Sequence, residues 1–279
     1  MPTIELVGKP IAITGASSGI GAATALACAA AGMPVALAAR RIDRLRDLAQ
    51  RINASGGRAI AVECDVVRPA DCERLVASTV EAFGSIYSVY ANAGYGVEAA
   101  AMDLPDAQWR AIFETNFFGT LNTLRPAIPH MRAAGRGHVL ICSSCLSRIT
   151  LPYYAAYSAT KAAQAHAGRA MRLELEPLGL FVSTVHPIST ETEFSERVRT
   201  EAGEARTMRH LPKGFAQTPE QVARATVRCL QSPRAEVWTS VLTRLGMAVC
   251  QALPGIEDVF ALRSMARRKR EHREAPKHI

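Results

Sequence analysis

Six short apolar runs recur through the first 190 residues, and helical stretches separate them. This alternation constrains the fold more than any other feature of the chain. The runs are Ile11–Thr14, Val35–Ala39, Ala59–Cys64, Ile86–Ala91, His138–Cys142 and Phe181–His186. Their apolar content is nearly continuous, as in strands covered on both faces. The intervening stretches include Ile20–Ala31, Arg44–Ala54, Ala70–Phe83, Pro105–Ala133 and Tyr157–Leu178, and they are rich in alanine. Strands that alternate with helices pack as a parallel sheet between helical layers. The sequence therefore predicts an α/β fold, a doubly wound parallel sheet, with Gln221–Gln231 as a late helix and Glu236–Ser240 as a last strand. Ligands of such sheets bind beyond the strand C-termini, where the strand order reverses.

At 279 residues, with 48% hydrophobic and 21% charged content, the chain suits one α/β domain. Residues 1–240 read as that domain and 241–279 as a helical C-terminal extension ending in a basic tail. The run Leu245–Ile256 is only 12 residues long and contains Gly246, Pro254 and Gly255, too short and broken to cross a membrane. No secretory signal is recognisable at the start. The net charge of +8 is uneven, because residues 263–279 hold seven Lys/Arg against two Glu. No aromatic residue interleaves with these charges, so base stacking has no platform and nucleic-acid binding is not expected. The expected state of the tail is a solvated arm, with contact to an anionic membrane the lesser alternative. Seven cysteines are read as free thiols in a reducing cytoplasm. The C-S-S-C spacing of Cys142 and Cys145 lacks a second pair or a histidine cluster to complete a zinc site, so no metal is expected.

In T-G-A-S-S-G-I-G, residues 14–21, the first strand runs into Gly15, Ser17, Ser18, Gly19, Ile20 and Gly21, and a helix follows. Glycines let backbone approach a pyrophosphate whose charge meets the helix N-terminus. An acidic residue at the end of the second strand would accept hydrogen bonds from the ribose 2′-OH of NAD. Ala39 stands there, followed by Arg40 and Arg41. Guanidinium forks suit a 2′-phosphate, so NADP(H) is expected, with Arg40 ranked before Arg41. Asp65, followed by Val66, ends the third strand within reach of an adenine amino group. Asn92, Ala93 and Gly94 end the fourth with small residues where backbone passes close to ribose.

Ser144, Tyr157 and Lys161 carry the chemistry. The tyrosine and lysine are four residues apart, on one face of a helix. A phenol normally titrates near pH 10, and a nearby ammonium favours the phenolate, so Lys161 is expected to lower the Tyr157 pKa. A phenol so tuned serves as general acid or base on a carbonyl/alcohol pair. Tyr153 and Tyr154 miss the one-turn spacing and are assigned to the substrate side. Cys145 is not expected to act as a nucleophile, since His138 lies too far back along the preceding strand to activate it.

Together these motifs resemble the classical short-chain dehydrogenase/reductase family over about residues 8–240. The resemblance implies a Rossmann-like fold and a cofactor loop at residues 14–21. It makes Ser144 the substrate-polarising serine, Tyr157 the acid/base and Lys161 the residue that binds the nicotinamide ribose. Asn116, in E-T-N-F-F-G, is similar to the asparagine that bends the central helix and holds a water for proton relay. Pro187, Thr190 and Thr192 fall where a P-G-x-V-x-T motif is expected. Here it reads P-I-S-T-E-T, with Ile188 replacing glycine, and Ser147 stands where the family has another glycine. The implied activity is hydride transfer between NADP(H) and a small-molecule carbonyl or secondary alcohol, lipid- or steroid-like if the apolar extension borders the site. A 3-oxoacyl-carrier reductase and a non-catalytic NADP(H) sensor are the alternatives. The family also implies a homodimer or homotetramer built through residues 105–133 and 157–178. Substrate contacts are expected within 95–103, 145–156 and 188–215.

Overall fold

The computed structural model describes residues 3–149, 151–188, 190, 199, 200, 217–253, 255, 256, 258, 259 and 262. Its elements, in chain order, are β1 (Ile11–Thr14), α1 (Gly19–Ala30), β2 (Val35–Ala39), α2 (Ile42–Ala54), β3 (Ala59–Glu63), α3 (Pro69–Phe83), β4 (Ser88–Ala91) and β5 (Val97–Glu98). There follow α4 (Asp106–Phe113), a π-helical turn (Glu114–Phe118), α5 (Gly119–Leu124), α6 (Ala127–Ala133), β6 (Gly137–Cys142), α7 (Ala155–Leu175) and β7 (Leu180–His186). The last are β8 (Arg199–Thr200), α8 (Pro219–Gln231), β9 (Glu236–Trp238) and α9 (Val241–Ala252). Seven strands form one parallel sheet in the order β3-β2-β1-β4-β6-β7-β9, and β5 pairs with β8 in a small second sheet. The order reverses between β1 and β4, which places the ligand crevice at their C-terminal ends.

Side chains alternate between two cores. Ile11, Ile13, Val35 and Leu37 point to the layer containing Leu45 of α2 and Val222 of α8. Ala12, Ala36, Ala38 and Val89 face the layer containing Leu75, Leu124, Met131 and Leu175. Both faces are buried, which explains why the strands read as continuous apolar runs. Pro219 begins α8, and Thr218 with Gln221 forms a reciprocal capping box there.

One expected helix is several. Residues 105–133 do not run as a single rod, because the π turn at Glu114–Phe118 shifts the hydrogen-bond register and Pro126 supplies no N–H before α6. The small β5–β8 sheet has no counterpart in the sequence reading, each strand being two residues long. Among the described residues, no helix is long and apolar enough to cross a membrane.

Candidate active site

The loop between β1 and α1 depends on close backbone approach. A Cβ on Gly21 would lie 2.3 Å from the Gly15 carbonyl oxygen and 2.7 Å from Asn92 Nδ2. Gly15 itself has φ 67°, a left-handed conformation that side chains disfavour. Asn92 ties the two central strand ends together. Its Nδ2 donates to the Thr14 carbonyl at 3.0 Å, while Thr14 Oγ1 accepts from the backbone N–H of Asn92 at 3.1 Å and of Ala93 at 3.3 Å. Ser18 precedes α1 without a side-chain cap, and the first turn has no acidic residue. The N–H groups at the start of α1 thus meet no competing carboxylate, and Ile20 anchors that turn against the core.

Arg41 closes the far side of this loop. Its Nη2 donates to Ser17 Oγ at 2.9 Å and Ser18 Oγ at 2.8 Å, and its Nε reaches Ser17 Oγ at 3.2 Å. Arg40 is exposed and lies near enough to Tyr95 to pull its phenol pKa down against the larger upward effect of burial. Of the two arginines, Arg41 is the one hydrogen-bonded to the loop. A glycine cradle that a single Cβ would fill, an uncapped helix start and an adjoining guanidinium fit a nicotinamide dinucleotide.

At the next strand end, Asp65 Oδ1 accepts from the backbone N–H of Val67 at 3.2 Å. Val66 turns its side chain into the core, and its carbonyl accepts from Asn122 Nδ2 at 3.0 Å. Of this pair only Asp65 offers a side chain to a ligand. Gly94 lies against the catalytic groups, its Cβ position being 3.0 Å from Asn116 Oδ1 and 3.6 Å from Lys161 Nζ.

Asn116, Ser144, Tyr157 and Lys161 converge and are all buried. Lys161 Nζ sits 5.5 Å from the Tyr157 ring centroid and donates to the Cys142 carbonyl at 2.8 Å. Ser144 ends the extended chain after β6, and its Oγ accepts from the Leu146 N–H at 3.1 Å. Asn116 occupies the π turn. Its side chain pairs with both backbone groups of Tyr95, each at 2.9 Å, and donates to Thr160 Oγ1 at 3.0 Å. Its own carbonyl accepts from Gln164 Nε2 at 2.7 Å and Thr120 Oγ1 at 2.8 Å. Both lone pairs of this backbone carbonyl are thereby engaged by side chains.

Burial sets the titration of this cluster. It raises the Tyr157 phenol well above its ordinary value, with a hydrogen bond to Ser144 acting in the opposite sense. It also lowers the Lys161 ammonium below its ordinary value. The expectation that Lys161 lowers the phenol is corrected: burial moves it upward, and the opposing influence is the hydrogen bond to Ser144. Like any phenol it is protonated at neutrality, and burial makes it a weaker acid until a partner stabilises the phenolate. Burial pushes the Cys145 thiol up to about 11, which disfavours the thiolate a nucleophile requires. His138 is bonded to Ser183 Oγ at 2.8 Å, and burial drives its imidazole down to about 3.

The substrate side holds groups that sequence reasoning missed. Ser147, the residue in place of a glycine, donates to the Ser144 carbonyl at 2.6 Å and meets His186 Nδ1 at 3.1 Å. That same nitrogen lies 3.1 Å from the Ser144 carbonyl, and the ring stacks on Trp238 at 4.6 Å between centroids. Tyr154 is buried with its hydroxyl donating to Glu98 at 2.7 Å, and Tyr153 holds φ 72° while its carbonyl accepts from the Ala99 N–H. These two tyrosines fasten the β5 segment to the start of α7. Tyr154 joins Val97, Leu104, Ile112 and Leu146 in an apolar cluster that includes Tyr157. Pro187 accepts from the Cys145 N–H at 2.9 Å, and Thr190 Oγ1 donates to the Ile188 carbonyl at 2.8 Å. Among the described residues Tyr153 is the one non-glycine with positive φ, so Ile188 replaces glycine without left-handed strain. Thr192, with most of 191–215, lies outside the described residues.

Comparison with known proteins matches this geometry to a family. Residues 9–203 match the short chain dehydrogenase family model. The chain is 33% identical over 235 residues to an uncharacterized oxidoreductase of Listeria innocua, covering 82% of this chain and 93% of that protein. It is 35% identical over 194 residues to 11-beta-hydroxysteroid dehydrogenase 1A of Arabidopsis thaliana, covering 69% of this chain and 55% of that protein. Among solved structures, a 3-ketoacyl-ACP reductase from Sinorhizobium meliloti superposes with a TM-score of 0.74 at 35% identity, covering 82% of this chain and 96% of that one. The chain belongs to the short-chain dehydrogenase/reductase family. It is an oxidoreductase of alcohol and carbonyl groups that uses a nicotinamide cofactor.

Proposed function

We propose that the protein is an NADP(H)-dependent oxidoreductase acting on the carbonyl or secondary alcohol of an apolar, lipid- or steroid-like small molecule. The observation that carries this reading is the convergence of buried Ser144, Tyr157, Lys161 and Asn116 beside an arginine-closed glycine loop. When bound, the cofactor supplies or accepts the hydride. The loop from Gly15 to Gly21 would hold its phosphates, Arg41 with Arg40 a 2′-phosphate, Asp65 the adenine, and Asn92, Ala93, Gly94 and Lys161 the nicotinamide end. Pro187, Thr190 and Thr192 would border that end.

The chain's own groups then have separable tasks. Tyr157, protonated at neutrality as a phenol ordinarily is, donates its proton to the substrate oxygen, and Ser144 orients that oxygen. Lys161 holds a positive charge beside the phenol, favouring the phenolate left behind. The engaged Asn116 carbonyl fixes the π turn against α7, so the tyrosine and lysine meet the β4 end in one geometry.

The apolar cluster around Tyr157 favours a hydrophobic substrate, in keeping with the similarity to a hydroxysteroid dehydrogenase. The likeness to a 3-ketoacyl-ACP reductase makes a 3-oxoacyl group the second reading. Exposed Phe118 and Leu173, on the π turn and α7, support assembly as a homodimer or homotetramer through these helices. Seven unpaired thiols support a reducing, cytoplasmic setting.

Binding measured by fluorescence with NADPH and NADH, alongside a panel of ketones followed by NADPH absorbance, tests the proposal. Arg41→Ala is expected to weaken NADPH by about tenfold or more, as for loss of a charge-assisted hydrogen bond, and to leave NADH nearly unchanged. Preference for NADH in the parent protein would refute the cofactor assignment.

A further inference from the structure

Helix α9 is amphipathic the wrong way round for a helix packed on its own domain. Thr243, Met247 and Cys250, spaced four and three apart, are its half-buried positions. The outward side carries Val241, Leu242, Leu245 and Val249, which are 75%, 75%, 58% and 48% exposed. At 100° per residue these four fall within one quarter to one third of the helix circumference, a continuous apolar stripe. No residue of α9 is fully buried. The stripe does not end with the helix, because Leu253, Val259 and Leu262 are also exposed, at 56%, 46% and 65%. A surface helix normally turns such a stripe toward its own core, and an exposed apolar patch of this extent marks a contact with something else.

The sequence that follows identifies the occupant. Residues 263–279 carry seven Lys/Arg against two Glu, and the basic residues include the run Arg267, Arg268, Lys269 and Arg270. A second copy of the chain carries the same tail of net +5 and so offers it no complementary charge. A nucleic acid would find charge but no aromatic residue in the tail to stack on. An anionic lipid surface satisfies both features at once: apolar side chains enter the headgroup boundary while the basic segment meets acidic headgroups. We propose that α9 lies on a membrane containing acidic phospholipid, with its Val241–Leu242–Leu245–Val249 face inserted and residues 263–279 as the electrostatic partner. Neither signal alone gives stable attachment, whereas two acting together do. The site of chemistry would then sit at a lipid surface.

The test is sedimentation of the full-length protein with vesicles of mixed phosphatidylcholine and phosphatidylserine, and with phosphatidylcholine alone. Binding is expected to the mixed vesicles only and to weaken with added salt. Leu242→Ser/Leu245→Ser/Val249→Ser is expected to lower the partition coefficient at least about tenfold, following the loss of buried apolar area. Replacing Arg267, Arg268, Lys269 and Arg270 by Gln should reduce binding and flatten its salt dependence. Thermal melting and NADPH binding of each variant verify that the catalytic domain is intact. As a second readout, Val249→Trp should be quenched by brominated phosphatidylcholine in the mixed vesicles, above the background of Trp109 and Trp238. Failure of the full-length protein to bind mixed vesicles overturns the proposal. So does binding that survives the triple serine change, or an unquenched Trp at 249. A fall in molar mass by light scattering on the triple change, without lipid binding, would also overturn it and make the stripe a contact between copies.

Discussion

The nucleotide side and the substrate side of the crevice are built from different materials. The nucleotide side, from β1 to the end of β4, consists of backbone and small residues held by neighbours that leave no space. Gly21 faces the Gly15 carbonyl, and Thr14 and Asn92 lock two strand ends with four hydrogen bonds at 3.0–3.4 Å. The substrate side consists of side chains: the Glu98–Tyr154 pair, Ser147 with His186, and an apolar cluster below Tyr157. A cofactor common to many enzymes suits a fixed backbone mould, whereas substrate choice resides in replaceable side chains. Damage should therefore be all-or-none on the first side and graded on the second.

Gly21→Ala gives the largest expected effect. Its Cβ would lie 2.3 Å from a backbone carbonyl that cannot swing away. Calorimetric or fluorescence titration should find NADPH binding lost, with a stability cost of about 1–3 kcal/mol for overpacking. Binding within a few-fold of the parent would show that the mould yields and would erase the contrast between the two sides.

Acid should act on the substrate side next. Burial drives His186 down to about 4 from an ordinary 6.5, opposed by a hydrogen bond to Ser144. The unfolded chain then binds more protons than the folded one between these values, so stability falls as the pH drops from about 6.5 toward 4. At about 1.4 kcal/mol per pH unit the full effect is of order 3 kcal/mol. His186→Asn should flatten that part of the stability–pH curve measured by chemical denaturation. An unchanged slope would mean that other groups carry it.

Ser147→Gly gives the smallest effect, about 1 kcal/mol for one hydrogen bond, with His186 retaining its contact to the Ser144 carbonyl. The sharper readout is kinetic. A loosened Ser144 carbonyl should raise KM for the carbonyl substrate several-fold while NADPH affinity stays constant.

Much of the nucleotide side was legible in the sequence, because its signals are local. The glycine spacing, the small residues at strand ends and the apolar strands all lie within short windows, and six strands occur within a few residues of the expected bounds. Lys161 four residues after Tyr157 was legible for the same reason. Thr14 with Asn92, Asn116 with Gln164, Glu98 with Tyr154 and Ser147 with His186 were not, since the partners are 39 to 78 residues apart. Nothing in the local pattern distinguishes a buried polar pair from two solvated side chains. The phenol shift was misjudged for a related reason: the nearby ammonium is visible in the spacing, but the burial that raises the phenol arises only when β6, the π turn and α7 meet. The sequence ranks Arg40 before Arg41 without any local sign that the turn aims Arg41 at Ser17 and Ser18.

The most direct test of the account is Tyr157→Phe, assayed for turnover of a ketone with NADPH and for NADPH binding in the same preparation. With the phenol hydroxyl as the proposed proton donor, turnover should fall about 10²–10⁴-fold, the usual worth of a general acid, with NADPH affinity unchanged. Turnover within tenfold of the parent enzyme would contradict the assignment of Tyr157 and, with it, the reading of the buried cluster as the site of reaction.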